Sequence, residues 1–221
     1  MSDSEHQVRG IPWPVRVGLA LVALTLMVVF LLPGLKSQDS RGQPLPVIGS
    51  IAGFTLTNQN GGAVSLADLR GKVWVADIIF TRCPGPCLKM TRQMKELQDA
   101  LPPASKAKLV TLTTDADFDT PPVLRAYAER FRADTNRWIF LTGPKPEIVK
   151  LAIDSLKLTA IEKKAEERES PQDLFVHSSI FVLADKQARL RGVFETTGEG
   201  IDPPAVKEQI LAAVRRLERE P

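Results

Sequence analysis

Two cysteines, Cys83 and Cys87, are the only thiols in the 221 residues, and three residues separate them in Ile79-Phe80-Thr81-Arg82-Cys83-Pro84-Gly85-Pro86-Cys87-Leu88. Thiols at a strand-to-helix turn face the positive end of the helix dipole and its unpaired backbone N–H groups, which favour thiolate. Two soft, ionisable sulfurs in one loop suit two tasks: holding a soft metal, or cycling with a disulfide. The chain has only two histidines, His6 and His177, so imidazole is scarce as a further ligand or base.

The elements that must position the pair can be read from periodicity. Val73 to Phe80 is an apolar run with a strand pattern. From Lys89 to Leu101, Met90, Met94, Leu97 and Leu101 recur at three- and four-residue spacing and predict a helix that Pro102-Pro103 stops. Lys108 to Thr113 predicts a second strand, and Asp119-Thr120-Pro121-Pro122 opens a helix through Tyr127 and Phe131. Trp138 to Leu141 is a third strand, followed by a helix over Glu147 to Ser155. Val176 to Leu183 and Ala188 to Val193 read as a hairpin, and Asp202-Pro203-Pro204 starts a last helix with Val206, Ile210, Val214 and Leu217 on one face. Before the first buried strand, Phe54 to Thr57, Asn60-Gly61-Gly62 and Val64 to Leu66 predict a short hairpin, then one helical turn to Gly71. The charged stretch Ile161 to Asp173 reads as a solvated insertion. This order is α/β with a central mixed sheet flanked by helices. A cysteine pair closing the first buried strand points to the thioredoxin-like class, by analogy of fold.

Between Arg16 and Lys36 every residue is uncharged, and Val17 to Leu32 is almost wholly apolar. The run is just long enough to cross a bilayer core of about 30 Å. Its length and the lack of an Ala-x-Ala site favour a retained anchor over a cleaved signal peptide. The expected organisation is a tail over 1–16, a transmembrane anchor over 17–35, a linker over 36–48 and a globular domain over 49–221. Basic residues flank the apolar run evenly, so they leave its orientation open. The short tail and the cysteine chemistry favour an extracytoplasmic domain, which leaves His177 as its only histidine. The net charge of +3 and the isoelectric point near 8.9 are mildly basic, with acidic and basic residues interleaved, which argues against nucleic-acid binding.

Four blocks in order resemble the Sco/SenC proteins. They are Phe80-Thr81-x-Cys83-Pro84-x-x-Cys87; Asp119-Thr120-Pro121-x-Val123-Leu124-x-x-Tyr127-Ala128-x-x-Phe131; Trp138 with Leu141-Thr142-Gly143; and Val176-His177-Ser178-Ser179. The similarity covers roughly Gly53 to Gly192. It implies a membrane-tethered copper-binding domain that helps load the CuA centre of cytochrome c oxidase, or another copper acceptor; the domain is expected to be a monomer. Two thiolates and one histidine hold the copper in that family, and the roles carry onto Cys83, Cys87 and His177. The loop departs from the family in Gly85, where an acidic residue is common, and in Leu88, where proline is common; Thr114-Asp115-Ala116 replaces a valine-aspartate-proline.

Two thiolates and an imidazole suit Cu(I), with Cu(II) or zinc also able to take such ligands. Arg82 is placed to offset the anionic charge. Met90 and Met94 have the spacing of a core face rather than of ligands. Asp119 reads first as a cap for the helix at Pro121, and either Asp115 or Asp119 is a candidate to orient His177. The function expected is a metallochaperone rather than a turnover enzyme. The alternative is an extracytoplasmic thiol-disulfide oxidoreductase using Cys83 and Cys87. A peroxidase on the same fold is disfavoured, because no separate peroxidatic cysteine is present.

Overall fold

The computed structural model describes residues 12–36, 44–159, 161–168, 174–176 and 179–221, with 26 and 28–36 as backbone alone. The chain falls into two compact units, Met1–Pro44 and Leu45–Pro221. In the first, helix α1 (Trp13–Lys36) follows the apolar stretch, with Trp13, Leu19 and Leu24 among its exposed side chains. The helix forms where expected, but the transmembrane span over 17–35 is not shown. Among the described residues no helix is long and apolar enough to cross a membrane.

The second unit is built on one eight-stranded sheet in the order β1-β8-β7-β4-β5-β6-β2-β3. The strands are β1 (Gly49–Ser50), β2 (Thr55–Asn58), β3 (Ala63–Ser65), β4 (Trp74–Ile79), β5 (Lys108–Thr113), β6 (Trp138–Thr142), β7 (Ile180–Ala184) and β8 (Arg189–Glu195). The central β4, β5 and β6 are parallel, whereas β7 runs antiparallel to β4 and β2 antiparallel to β6. Every residue of β4 is buried because both of its faces are covered, which is why it reads as an unbroken apolar run. Val75 and Ile79 point into one core; Trp74, Ala76 and Ile78 point into the other. The first core is closed by α3 (Pro86–Ala100), α4 (Pro121–Arg130) and α6 (Pro203–Arg219). The second is closed by α2 (Leu66–Leu69), α5 (Lys145–Lys150) and the π-helical turn Leu151–Leu156 that extends it. This is the mixed sheet flanked by helices that the sequence predicts, with the N-terminal hairpin β2–β3 at one edge.

Three departures have local causes. Helix α3 begins at Pro86 rather than Lys89, because proline at N1 supplies a helical φ and needs no hydrogen bond there. Strand β7 begins at Ile180 rather than Val176, since Phe175 is drawn into an antiparallel bridge with Glu162. That bridge, with Lys163 N–H to Leu174 O and Val176 N–H to Ile161 O, makes the ends of the charged insertion a paired stem. The two-residue β1 has no sequence signature of its own; it forms by pairing with β8.

Candidate metal centre

The cysteine loop sits at the C-terminal end of β4 and feeds straight into α3. Cys83 closes a turn by donating its N–H to Phe80 O at 3.2 Å. Gly85 is the N-cap and Pro86 the first helical residue, so Cys87 lies inside the first turn. Both sulfurs are buried, at 2% and 4% exposure, and both are present as thiols rather than a disulfide. The Cys87 thiol is pushed up from its ordinary range, first by its hydrogen bond with Cys83, then by burial and by the charge of Cys83. A helix N-terminus alone would favour thiolate, yet here the second sulfur and the apolar surroundings outweigh it. A metal must therefore displace a proton from this site.

Threonines and carboxylates on neighbouring elements hold the loop. Thr91 Oγ1 donates to Cys87 O at 2.8 Å and lies 2.8 Å from Tyr127 Oη, tying α3 to α4. Burial raises the Tyr127 phenol, which keeps it a neutral donor. Asp119 is not a helix cap: Thr120 occupies that position without a side-chain bond. Instead the Asp119 carboxylate accepts from Thr81 N–H at 3.0 Å and from the hydroxyls of Thr81 and Thr113. Asp115 accepts from Arg82 Nε at 3.0 Å and Nη2 at 2.5 Å, and the guanidinium lies 4.2 Å from the Phe118 ring centroid. Thus Thr81 and Arg82, the two residues before Cys83, are both clamped to the segment after β5. Arg82 spends its charge on Asp115, not on the thiols as the sequence suggested.

Beneath the pair, Asp77 is fully buried in β4 on the same face as Val75 and Ile79. Trp138 Nε1–H donates to Thr111 Oγ1 at 2.9 Å, and Thr111 donates to Asp77 Oδ1 at 2.6 Å, whereas Oδ2 has no partner among the described residues. Burial pushes the Asp77 carboxyl up to about 7. Met90 and Met94 are packed in the same core, as their spacing predicts.

The insertion stem also reaches this site. Phe175 packs on Phe80 with ring centroids 5.1 Å apart, and Phe175 and Val176 line a small cavity with Cys87 and Met90. His177, the expected third ligand, follows Val176 but lies outside the described residues, as do His6 and most of the linker. Among the described residues no group of three or more histidine, cysteine or acidic side chains is placed to hold a metal. The donor set on view is two adjacent soft sulfurs, which fits copper better than a hard cation. Sequence reasoning missed Asp77 and Phe175. The first was detectable as the single charge within an apolar strand, while the second needed the fold of the insertion.

The SCO1/SenC family model matches residues 48–215. The chain belongs to the SCO1/SenC family. It is 35% identical over 147 residues to the SCO1 protein homolog of Bacillus subtilis, covering 66% of this chain and 73% of that one. A Stutzerimonas stutzeri protein described as copper-binding is 31% identical over 110 residues, covering 49% and 52% of the two chains. Among solved structures, BsSco, described as a member of the Sco family of cytochrome c oxidase assembly proteins with a disulfide switch, matches at TM-score 0.67 and 28% identity. That match covers 81% of this chain and all of the other. ScoI of Bradyrhizobium japonicum, solved with copper bound, shares the fold at TM-score 0.59 and 22% identity, covering 76% and 99%.

Proposed function

We propose that this chain is a copper chaperone that binds the metal through Cys83, Cys87 and His177 and passes it to the CuA subunit of cytochrome c oxidase or to another copper acceptor. The observation that carries this reading is the placing of two buried free thiols in one turn at the end of β4, close enough for Cys83 to raise the Cys87 thiol, within an apolar wall. Two soft donors in one turn suit Cu(I), and an apolar wall excludes the water that harder ions retain. Family membership and the copper-binding descriptions of relatives support the cargo. Transfer would run by ligand exchange: an acceptor thiolate approaches the copper as one Cys–Cu bond lengthens, so the protein binds and hands over rather than turning over. The apolar stretch 17–35 would tether the domain to the membrane, with the domain extracytoplasmic, where oxidase copper centres are assembled.

His177→Ala is expected to weaken Cu(I) affinity at least tenfold in competition with a chromophoric chelator, while Cys83 and Cys87 still form a disulfide on oxidation. Unchanged affinity would remove His177 from the site. A second reading is favoured by two free thiols at one strand-to-helix turn: the pair could reduce an acceptor's disulfide, one cysteine attacking and the other resolving. The reduction potential of the pair decides it. A potential far below that of any extracytoplasmic thiol system would leave copper binding as the only role.

A further inference from the structure

At the pole opposite the cysteine loop, a cleft of about 570 Å³ opens where β4 and β5 begin. It is lined by Lys72, Lys106, Lys186, Arg215 and Arg219, with Glu218 as its only acid among the described residues. The carboxylate of Glu218 is already engaged: Oε1 accepts from Ser105 Oγ at 2.8 Å, Lys106 N–H at 2.9 Å and Ala107 N–H at 3.1 Å. The ammonium groups of Lys72 and Lys186 donate to the backbone oxygens of Asp68 and Glu220, and Lys72 also lies within the field of the Asp68 carboxylate at the rim. Lys106, Arg215 and Arg219 are exposed. Crowding of positive charge extends past the rim. Lys108 is held below the ordinary lysine range, first by burial, then by the charge of Lys72, with Arg137 contributing and Asp134 opposing.

The same pole is where the chain enters the domain. Lys186, in the cleft wall, bonds the Glu220 backbone; the Glu220 carboxylate bonds Arg191 at 2.9 Å. Arg191 in turn donates to Leu45 O at 2.7 Å, fixing the first residue of the unit. Just beyond it Val47 and Ile48 are 54% and 46% exposed, and Ile48 N–H is held by Leu190 O at 2.8 Å. Exposed aliphatic side chains beside a cleft whose five cations outnumber its one acid among the described residues have the composition of a membrane-facing surface. The six residues of β4, about 20 Å of strand, separate this pole from the cysteine loop.

We infer that this basic pole is a docking surface for anionic phospholipid headgroups, which holds the domain on its own bilayer with the cysteine loop directed away from the lipid. The inference rests on the tethered reading, because a surface reached through Leu45 is useful only if the preceding segment is at the membrane. The tether raises the local concentration of lipid phosphate, so weak contacts suffice. Each lysine or arginine within a Debye length of a negative surface adds to the attraction, and salt removes it.

The test uses the full chain in vesicles of phosphatidylcholine alone or mixed with phosphatidylglycerol, with lysine acetylation read by mass spectrometry. Lys72, Lys106 and Lys186 are expected to be protected several-fold on the mixed vesicles at low salt and not on neutral ones, while Lys95 and Lys207 label equally on both. Protection should vanish in Arg215→Glu/Arg219→Glu, which keeps normal copper binding. Equal labelling on both vesicles would overturn the inference. So would protection by millimolar inorganic phosphate on neutral vesicles, because the cleft would then take a soluble anion. Retention on neutral vesicles in high salt reports the tether separately. Its loss, with salt-sensitive protection intact on mixed vesicles, would overturn the tether and leave the docking surface standing.

Discussion

At the scale of single residues, two buried carboxylates do opposite work around the thiols. Three donors converge on Asp119; replacing it with alanine would strand Thr81 N–H and two hydroxyls beside the loop. Asp119→Ala is expected to cost on the order of 2–4 kcal/mol in urea unfolding and to loosen the Thr81–Cys83 turn, weakening copper affinity with it. Asp77 is different, having one hydroxyl donor and an oxygen with none. Its folded carboxyl titrates at about 7, against 3.8 in the unfolded chain. Below that lower value both states hold the proton and the group favours neither. As pH rises the unfolded chain releases its proton first, so stability falls until the folded carboxyl ionises, and then levels off. The expected loss is a few kcal/mol, since each tenfold weakening of the acid is worth about 1.4 kcal/mol. Asp77→Asn keeps the shape without the charge, so the decline in urea midpoint between about pH 4 and 7 should flatten. An unchanged pH profile would mean that Asp77 is not the buried acid described. The cysteine pair was legible because it lies in one short motif, whereas the role of Arg82 was not, since its partner Asp115 lies beyond β5. The roles of Asp115 and Asp119 were not legible either: spacing near a helix start suggests a cap for Asp119, whereas Thr81 and Arg82, which the two carboxylates hold, lie more than thirty positions earlier.

At the scale of elements, strands β4, β5 and β6 and helices α4 and α6 fell where period and turn chemistry placed them, because burial on one or two faces imprints itself on sequence. The start of α3 was misjudged by three residues, since Gly-Pro-Cys-Leu looks like loop until proline is counted as the first helical residue. The insertion was opaque for another reason: its charges describe solvent, while its ends pair as a stem of Ile161–Lys163 against Leu174–Val176. Phe175→Ala, which removes the ring packed on Phe80, is expected to cost about 3 kcal/mol of stability. It should also weaken copper binding, because the stem that leads into His177 loses its seat beside Cys87. Methionine provides the contrast. Met90→Leu and Met94→Leu conserve volume in the core, and each should leave copper affinity unchanged and cost less than about 1.5 kcal/mol. A loss of copper on either substitution would show thioether ligation.

For the molecule as a whole, the sheet separates two chemistries. Its one end carries the buried thiols, and its other end carries the cations and the point where the chain enters the domain. Family membership follows from a match across residues 48–215, yet the metal-binding claim rests on two sulfurs on view and one imidazole named from sequence. Copper X-ray absorption on the Cu(I)-loaded full chain tests that claim most directly. The account predicts a shell of both cysteine sulfurs with the ring scattering of a single imidazole, and loss of the ring signal alone in His177→Ala. A first shell without two sulfurs, or an imidazole signal that survives the substitution, would contradict it.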